Sequence, residues 1–469
     1  MSDIQADYLV VGAGAMGLAF ADVLVAETDA TVAIVDRYDQ PGGHWTLSYP
    51  FVRLHQPSVG YGVASCKLGD DQIDAHGPNA GLYELAGVGE ICSYFDQVMS
   101  RTLLPSGRVR YLPMTEHLGD GRCRSRVSGE TFTVTPNRAL VDATYQNVTV
   151  PAMRTPPFEV AAGVACGPPN VLAALAGEHE RFTVVGAGKT GIDACLWLLR
   201  RGVAPDRITW IMPRDSWLID RTLTQPGPAF ANQVIPVYVG QFEAIQAATD
   251  VDDLFERLEA CGRLSRIDTA VKPEMYRCAT VSQVELSELR SLTTVIRLGR
   301  VQGIEPDAIV LDGGRVPTTP DTLHIDCTAD GLERRPEVPV FADRRITLQS
   351  VRTCQQVFSA AFIGHVEAAY NDPAVKNELC RPIAHPDTPM DFLRTTIADS
   401  RNENSWAQDA ALERWLDGCR LDWVRNVGPA LPDDPVARAE AMTLRRSVMA
   451  MMAAKLETLL AQHEDRVSA

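Results

Sequence analysis

The pattern of apolar and polar positions near the start of the chain predicts a strand, a turn, a helix and a second strand. Tyr8 to Val11 is a continuous apolar run, which is typical of a strand buried on both faces. Leu18 to Ala26 follows as an apolar helix, and Thr31 to Val35 is a second buried strand that ends at Asp36. This order is typical of the opening of a doubly wound, parallel α/β sheet.

The same order recurs in the middle of the chain. Phe182 to Val185 is predicted as a strand, Ile192 to Leu199 as an amphipathic helix, and Arg207 to Met212 as the next strand. We therefore predict an α/β fold with two Rossmann-like domains and a helical C-terminal segment. The insertion of the second domain into the first is what the family resemblance described below implies. The predicted units are a first part at 1–155, an inserted domain at 156–322 with a helical lobe at 219–293, a return to the first domain at 323–400, and helices at 401–469.

Composition and charge narrow the classes of function. The chain has 44 basic and 60 acidic residues, and its net charge of −16 disfavours nucleic acid and anionic membrane surfaces as partners. We see no secretory signal and no apolar run long enough to cross a membrane, so we expect a cytoplasmic protein. The 11 cysteines form no CxxC or metal-like pair, so we expect reduced thiols and no metal site.

Three glycines after the first strand carry the most specific motif. Gly12, Gly14 and Gly17 have the G-x-G-x-x-G spacing, which permits a tight turn, close approach of a pyrophosphate and packing of the helix on the sheet. The helix N-terminus offers free N–H groups to the phosphates, and Asp36 stands where ribose hydroxyls are bound. Further residues that we expect to contact this dinucleotide are Ala15, Met16 and Arg37.

Residues 42–58 resemble a stretch of flavin-dependent monooxygenases of the Baeyer–Villiger and FMO kind. Gly42, Gly43 and Trp45 match a GG-x-W segment that follows the ribose acid in that family. Residues 49–58 line up with its YPG-x-R-x-D-x-PS stretch. The resemblance implies that the first glycine motif binds FAD. The residues that we place beside FAD in this stretch are Gly43, His44, Trp45 and Gln56.

The same alignment suggests two catalytic residues. His55 stands where the family has an aspartate near the flavin, and Arg53 matches the arginine of the stretch. An imidazole titrates near neutrality, so we expect activity to follow the ionisation of His55 between about pH 5.5 and 7.5. The alternative is that His55 is a structural histidine with a satisfied hydrogen bond.

The second glycine motif predicts a site for a nicotinamide dinucleotide. Gly186, Gly188 and Gly191 repeat the spacing, and the strand after the helix is followed by Arg214 instead of an acidic residue. An arginine there can pair with a 2′-phosphate, which favours NADPH over NADH, although Arg214 could also pair with a neighbouring side chain. The turn itself supplies two further predicted contacts, Lys189 and Thr190.

A later segment is expected to return to FAD. Leu323 to Cys327 is predicted as a buried strand, and Ala329 and Asp330 in the turn after it resemble a turn that closes onto FAD in these families. The F-x-G-x-x-x-H signature of the family has no counterpart at 156–176, just before the second glycine motif. The missing signature bears on whether the protein transfers oxygen, whereas the two cofactor motifs do not depend on it.

The resemblance implies an oxidoreductase that uses FAD and NADPH. The predicted function is a monooxygenase, in which a flavin peroxide formed with dioxygen transfers one oxygen to a small organic substrate. Two alternatives stay open: an NAD(P)H-dependent reductase or dehydrogenase of an organic acceptor, and an FAD-binding redox sensor without turnover. Apolar stripes in the C-terminal helices favour core packing, with a homodimer seam as the alternative.

Overall fold

The computed structural model describes residues 3–428 and 431–468, in which the strands form four sheets; the two largest contain most of the parallel strands. The strands are β1 (Ile4–Val11), β2 (Val32–Val35), β3 (Val109–Leu112), β4 (Thr115–Gly119), β5 (Arg122–Ser125), β6 (Thr131–Asp142), β7 (Glu159–Val160), β8 (Cys166–Gly167), β9 (Arg181–Val185), β10 (Ile208–Ile211), β11 (Ser216–Asp220), β12 (Met275–Val281), β13 (Thr294–Ile296), β14 (Val301–Ile304), β15 (Ala308–Leu311), β16 (Gly314–Pro317), β17 (Thr322–Asp326), β18 (Phe341–Ala342) and β19 (Arg345–Thr347).

The helices are α1 (Ala15–Glu27), α2 (Val88–Gln97), α3 (Leu172–Leu175), α4 (Lys189–Arg200), α5 (Ala231–Ala247), α6 (Val251–Ala260), α7 (Gln283–Arg290), α8 (Gln356–Ala369), α9 (Pro373–Leu379), α10 (Pro389–Trp406), α11 (Ala410–Gly418), α12 (Trp423–Asn426) and α13 (Pro435–Ser468). No helix in the described part of the chain is long and apolar enough to span a bilayer.

The first sheet is built around β1, which pairs in parallel with β2 on one side and β6 on the other. Its main path runs β18-β19-β6-β1-β2-β3, with the antiparallel pair β4–β5 attached through β6. Helix α1 is buried on all faces because it lies between this sheet and α8. Leu18, Phe20 and Leu24 of α1 are fully buried, which explains why the helix is apolar throughout instead of amphipathic.

The second sheet has the order β13-β10-β9-β17-β8, and all of its pairs are parallel. The placement of β17 corrects a prediction, because the strand at Leu323 to Cys327 was expected to return to the first domain. It pairs with β9 in the second sheet, and the chain rejoins the first sheet only at β18 and β19, of which β19 pairs with β6. A strand buried on both faces is apolar in either sheet, so its composition does not identify its neighbours.

Residues 216–290 form a lobe between β10 and β13 and contain β11, β12 and helices α5 to α7. The predicted helices at Asp252 to Cys261 and Val284 to Leu289 are confirmed as α6 and α7. Trp217 of β11 stacks on Phe255 of α6, with ring centroids 5.4 Å apart. Phe255 in turn packs against Phe392 of α10, so the lobe shares its core with the C-terminal helices.

The predicted helical C-terminus is confirmed, and a buried ionic network holds it to the rest of the fold. Arg352, in the loop before α8, donates hydrogen bonds to Glu403 of α10 at 2.5 Å and to Asp422 at 2.8 Å. Arg425 of α12 donates to the same Glu403 at 2.9 Å. Helix α13 then packs along α10 and against α5 of the lobe.

The structure also corrects the expectation that all the cysteines are reduced. Cys278 of β12 and Cys354, just before α8, form a disulfide although 76 residues separate them in the sequence. The other nine cysteines carry no disulfide. Their scattered positions hide this pairing, because the two partners meet only when the lobe folds against the loop before α8.

Candidate functional site

The first glycine turn has the geometry that a dinucleotide pyrophosphate requires. Gly12 has a φ of +105°, and a Cβ at Gly17 would lie 2.0 Å from the carbonyl oxygen of Gly12. A side chain is therefore excluded at both positions, and α1 begins directly against the turn. Gly14 is the N-cap of α1 and brings no capping side chain, so the N–H groups of the first helical turn remain available to an anion.

Asp36 lies at the end of β2 and is bound to the glycine turn. One carboxylate oxygen accepts the backbone N–H of Ala13 at 2.5 Å, and the other accepts that of Tyr38 at 2.8 Å. Burial raises the pKa of Asp36, although these N–H bonds favour its charged form. Asp36 thus braces the turn, and its contact with a ribose stays a prediction.

The second glycine turn has the same three features as the first. Gly186 has a φ of +123°, and a Cβ at Gly191 would lie 2.1 Å from the carbonyl oxygen of Gly186. Gly188 is the N-cap of α4, again without a capping side chain. The N–H of Gly186 donates to Ile211 at 3.0 Å, as that of Gly12 donates to Val35 at 2.8 Å in the first turn.

Each glycine turn is matched by an Asp-x-Thr turn that the sequence analysis missed. Asp142 ends β6, and its Oδ1 accepts the backbone N–H and the hydroxyl of Thr144 at 2.9 and 2.7 Å. Asp326 ends β17 and binds Thr328 in the same way, at 3.0 and 2.5 Å. Both turns lie against the first glycine of their sheet. An Asp-x-Thr tripeptide after each of two apolar strands was the signal that could have revealed them.

This pairing corrects the role predicted for the turn after β17. Ala329 and Asp330 were expected to close onto FAD at the first glycine turn. They follow Thr328, which borders Gly186, so they lie beside the second glycine turn. Asp330 forms an ion pair with Arg277 of the lobe at 2.5 Å.

The stretch resembling flavin monooxygenases lies on the helix of the second glycine turn. The hydroxyl of Tyr49 donates to Asp193 of α4 at 2.7 Å, and Asp193 also forms an ion pair with Lys189. The Phe51 ring stacks on Trp197 of α4 with centroids 5.2 Å apart. Burial raises the pKa of Tyr49 well above its usual range, and the negative charge of Asp193 raises it further. Residues from the two glycine-turn units therefore meet in one polar cluster.

His55 lies in this cluster as a neutral imidazole. Its Nδ1 is buried and has no hydrogen-bond partner among the described residues. Burial lowers the pKa of His55 to about 3, and the nearby cations Lys189 and Arg221 lower it further than Glu285 raises it. A pKa this low argues against the prediction that activity follows the ionisation of His55 between about pH 5.5 and 7.5, and that dependence of activity stays untested.

A buried ion pair from the lobe completes the cluster. Arg221 is 1% exposed, donates to Glu285 of α7 at 2.5 Å and binds the side chain of Asn79 at 3.2 Å. Its Nε also donates to the carbonyl oxygen of His55 at 3.3 Å. Burial would raise the pKa of Glu285, but Arg221 and Lys189 hold it below its ordinary value. Sequence reasoning missed this pair, since its partners are far apart in the chain.

The remaining predicted residues occupy varied environments. Arg53 is exposed, and its guanidinium donates to the carbonyl oxygen of Leu85 at 3.4 Å. Arg37 lies over the Tyr38 ring, and the half-buried His44 stacks on Trp45. Gln56 is half-buried. None of these residues is assigned a catalytic or cofactor contact by its geometry, so their roles stay predictions.

Arg214 binds a carboxylate instead of facing an open site. Its two terminal nitrogens donate to Asp387 at 3.1 and 3.2 Å, in a bidentate pair whose side chains are about one-third exposed. The neighbouring Asp215 pairs with Arg297 and is not a competitor. A 2′-phosphate would have to share or replace Asp387, and the predicted role of Arg214 remains untested.

The side chain of Gln355, which follows the last strand of the first sheet in sequence, is another buried polar group without a hydrogen-bond partner among the residues that the structure describes. Gln355 is the N-cap of α8, beyond the carboxyl end of β19, and is 3% exposed. Both atoms of its side-chain amide lack a hydrogen-bond partner in the described part of the chain. Buried amides are normally paired, so this group is suited to a ligand that offers both a donor and an acceptor. The pyrimidine edge of a flavin has that character.

Two sheets with parallel central strands, each with a glycine turn and a matching Asp-x-Thr turn, define a protein of the dinucleotide-binding Rossmann class. A family model described as an NAD(P)-binding Rossmann-like domain matches residues 10–72. Over 457 residues the chain is 56% identical to "Uncharacterized protein Rv2000" of Mycobacterium tuberculosis, covering 97% of this chain and 85% of that protein. "Uncharacterized protein Mb2023" of Mycobacterium bovis matches equally. The chain belongs to the family of these mycobacterial proteins.

Solved structures with a similar arrangement include a closed form of cyclohexanone monooxygenase. It is 14% identical with a TM-score of 0.48 and is covered over 98% of its length, against 96% of this chain. A flavin-containing monooxygenase from Stenotrophomonas maltophilia is 16% identical with a TM-score of 0.41, covering 78% of this chain and 97% of that one.

Proposed function

We propose that the chain is an oxidoreductase that binds FAD at the first glycine turn and NADPH at the second. The observation that carries the proposal is the repetition of one geometry: Gly12 and Gly186 with positive φ, and helices that begin without a capping side chain. The Tyr49–Asp193 hydrogen bond connects residue 49, from the stretch that follows the first unit's second strand, to the helix of the second glycine turn. Two dinucleotide sites brought together in this way suit transfer of a hydride from one cofactor to the other.

Residues at the edge of the first sheet fit FAD. The turn at Gly12 and the first turn of α1 would hold the pyrophosphate, and Asp36 would face the adenosine ribose. The unpaired amide of Gln355 would bind the polar edge of the flavin ring. Bound FAD would supply two-electron chemistry, accepting a hydride from the nicotinamide and passing electrons to dioxygen or to an organic acceptor.

We assign the cluster around His55 to the reacting end of the site. Because His55 is neutral, it offers one hydrogen-bond donor and one acceptor without adding charge. Lys189 and Arg221 are the cationic groups nearest to His55, and each is paired with a carboxylate, Asp193 and Glu285 respectively. The acceptor that we propose is a small organic molecule with dioxygen as co-substrate, as in the monooxygenases that residues 42–58 resemble.

Two matched glycine variants test the cofactor assignment. A Cβ at Gly14 would have Gly43 as its nearest neighbour at 3.7 Å, and one at Gly188 would meet nothing within 4 Å. Gly14→Val and Gly188→Val should therefore fold, while their side chains fill the space that phosphates need. We expect Gly14→Val to lose FAD, and Gly188→Val to keep FAD but lose NADPH binding. Full FAD content in folded Gly14→Val would refute the assignment.

Oxygen consumption separates the monooxygenase from the alternatives. NADPH oxidation by the FAD-loaded protein that consumes dioxygen and leaves one oxygen in an organic product supports the proposal. Oxidation that proceeds without dioxygen and depends strictly on an organic acceptor would establish a reductase instead. If the protein oxidises NADPH neither with dioxygen nor with a panel of acceptors, the result would support the alternative of an FAD-binding redox sensor without turnover.

A further inference from the structure

The Cys278–Cys354 disulfide lies between the lobe and the first sheet. Cys278 belongs to β12 of the lobe, and Cys354 ends the loop that leads from β19 into α8. Helix α8 packs along α1, the helix of the first glycine turn. The disulfide is therefore a covalent connection from the lobe to the layer of helices that supports the proposed FAD site.

Both cysteines have a backbone conformation that side chains disfavour. Cys278 has a φ of +55° and Cys354 a φ of +58°. Cys278 lies in a bulge of β12, where Tyr276 pairs with Trp217 and Thr280 pairs with Ile219, so that three residues face Leu218 alone. Left-handed conformations of residues other than glycine persist where the surrounding structure holds them, and the cross-link holds both of these.

The two cysteine residues differ in exposure. Cys354 is partly exposed, whereas Cys278 is 7% exposed. Cys354 also lies directly before the N-cap of α8. Of the two cysteines, Cys354 is therefore the one that an attacking thiolate approaches from solvent.

We propose that Cys278–Cys354 is a reversible disulfide that exchanges with small-molecule thiols and, when it is reduced, releases β12 of the lobe from the loop before α8. A thiolate attacks Sγ of Cys354, the bond between the cysteines breaks, and Cys278 leaves as a thiolate that takes up a proton. A second thiol then attacks the mixed disulfide on Cys354. The products are two protein thiols and one small-molecule disulfide, and an oxidised thiol reverses the reaction. This inference goes beyond the proposed function and does not depend on it.

Reduction removes the only covalent restraint between β12 and the loop before α8 in the described residues. The bulge at Cys278 and the turn at Cys354 can then relax to negative φ. Gln355, with its unpaired amide, adjoins Cys354 and moves with that turn. We therefore expect the oxidation state of this pair to change the mobility of residues 275–281 and 348–356 while α1 stays rigid.

Thiol trapping tests the exchange on the full-length, native protein. The protein is equilibrated in buffers of reduced and oxidised glutathione, alkylated, and mapped by mass spectrometry. We expect Cys278 and Cys354 to become alkylated together as the buffer becomes more reducing, and to be protected again on return to oxidised glutathione. Cys261→Ser, which removes a partly buried thiol of the same lobe, should leave this behaviour unchanged. A bond that resists glutathione until the protein unfolds would overturn the proposal, as would alkylation of both cysteines in fully oxidised buffer.

Hydrogen exchange tests the release of β12 from the loop before α8. In reduced protein we expect amides of 275–281 and 348–356 to exchange about tenfold faster than in oxidised protein, with α1 unchanged. The Cys278→Ala/Cys354→Ala variant should show the fast pattern in both buffers. Equal exchange in oxidised and reduced wild-type protein would overturn the release even if the double variant fails to fold.

Discussion

His55 shows how one buried environment changes the chemistry expected of a residue. With its pKa lowered to about 3, its imidazole is neutral near pH 7. Its unpaired Nδ1 can still bind a ligand atom. We therefore expect a hydrogen-bonding role in place of proton transfer by an imidazolium.

Substitution of His55 tests that role. His55→Leu should lower turnover by about a hundredfold, and His55→Gln should lower it less, because glutamine keeps a donor and an acceptor. FAD and NADPH binding should be retained in both, as both glycine turns are intact. The rate of the wild type should show no His55-dependent inflection between about pH 5.5 and 7.5. An inflection in that range that disappears in His55→Gln would contradict the neutral assignment.

Arg214 and Asp387 provide a test of cofactor preference. If Arg214 can leave Asp387 for a 2′-phosphate, Arg214→Ala should raise the KM for NADPH by about tenfold or more and leave that for NADH nearly unchanged. Asp387→Asn should strengthen the preference for NADPH, because it frees the guanidinium. Steady-state kinetics with both nucleotides measures the difference. Equal effects on the two nucleotides would make the Arg214–Asp387 pair purely structural.

At the scale of elements, the sequence predicted the structure that adjacent residues determine, but it did not predict the contacts between distant segments. The strands and helices around Gly12 and Gly186 follow from adjacent residues, so their order was predictable. The sheet joined by β17, the partner of Arg221 and the pairing of Cys278 depend on contacts between distant segments. Apolar composition marks a strand as buried without specifying its neighbours, and a lone charge in the sequence does not identify its partner.

Removing Arg352 alone from the buried ionic network should strongly lower the free energy of unfolding. Arg352 is 2% exposed and neutralises Glu403 and Asp422, both buried. Arg352→Met would leave two carboxylates without it, so we expect a loss of about 3–5 kcal/mol in the free energy of unfolding. Arg401→Met, which breaks an exposed pair with Glu457, should cost less than about 1 kcal/mol. Urea denaturation compares the two, and equal losses would show that Arg352 is not essential to the network.

At the scale of the whole molecule, several buried groups make stability depend on pH in opposite directions. Burial lowers the pKa of His44, His324 and His385 to about 4, as it lowers that of His55. A histidine of this kind stabilises the fold above its unfolded pKa, near 6.5, and that contribution is lost as pH falls toward the folded value. Burial raises the pKa of Asp399 to about 6, and protonation of that carboxyl favours the folded state on acidification.

Comparing the pH dependence of stability in His55→Gln with that in the wild type isolates the contribution of His55. Between about pH 6 and 4, unfolding releases His55 to take up a proton, which contributes about 1.4 kcal/mol per pH unit to the loss of stability. His55→Gln should therefore lose stability less steeply on acidification than the wild type, by up to that slope. Urea midpoints across this range provide the measurement. Parallel curves for the two proteins would show that His55 keeps an ordinary pKa in the fold.

The repeated turns at Gly12 and Gly186 have a practical consequence for experiments. Each pairs a glycine of positive φ with an Asp-x-Thr turn, at Asp142 in one case and Asp326 in the other. A substitution in one turn therefore has a geometrically equivalent counterpart in the other, made in the same polypeptide and under the same conditions. The molecule thus contains its own internal control: any effect common to both substitutions reports on folding, and any effect confined to one reports on the nucleotide bound there.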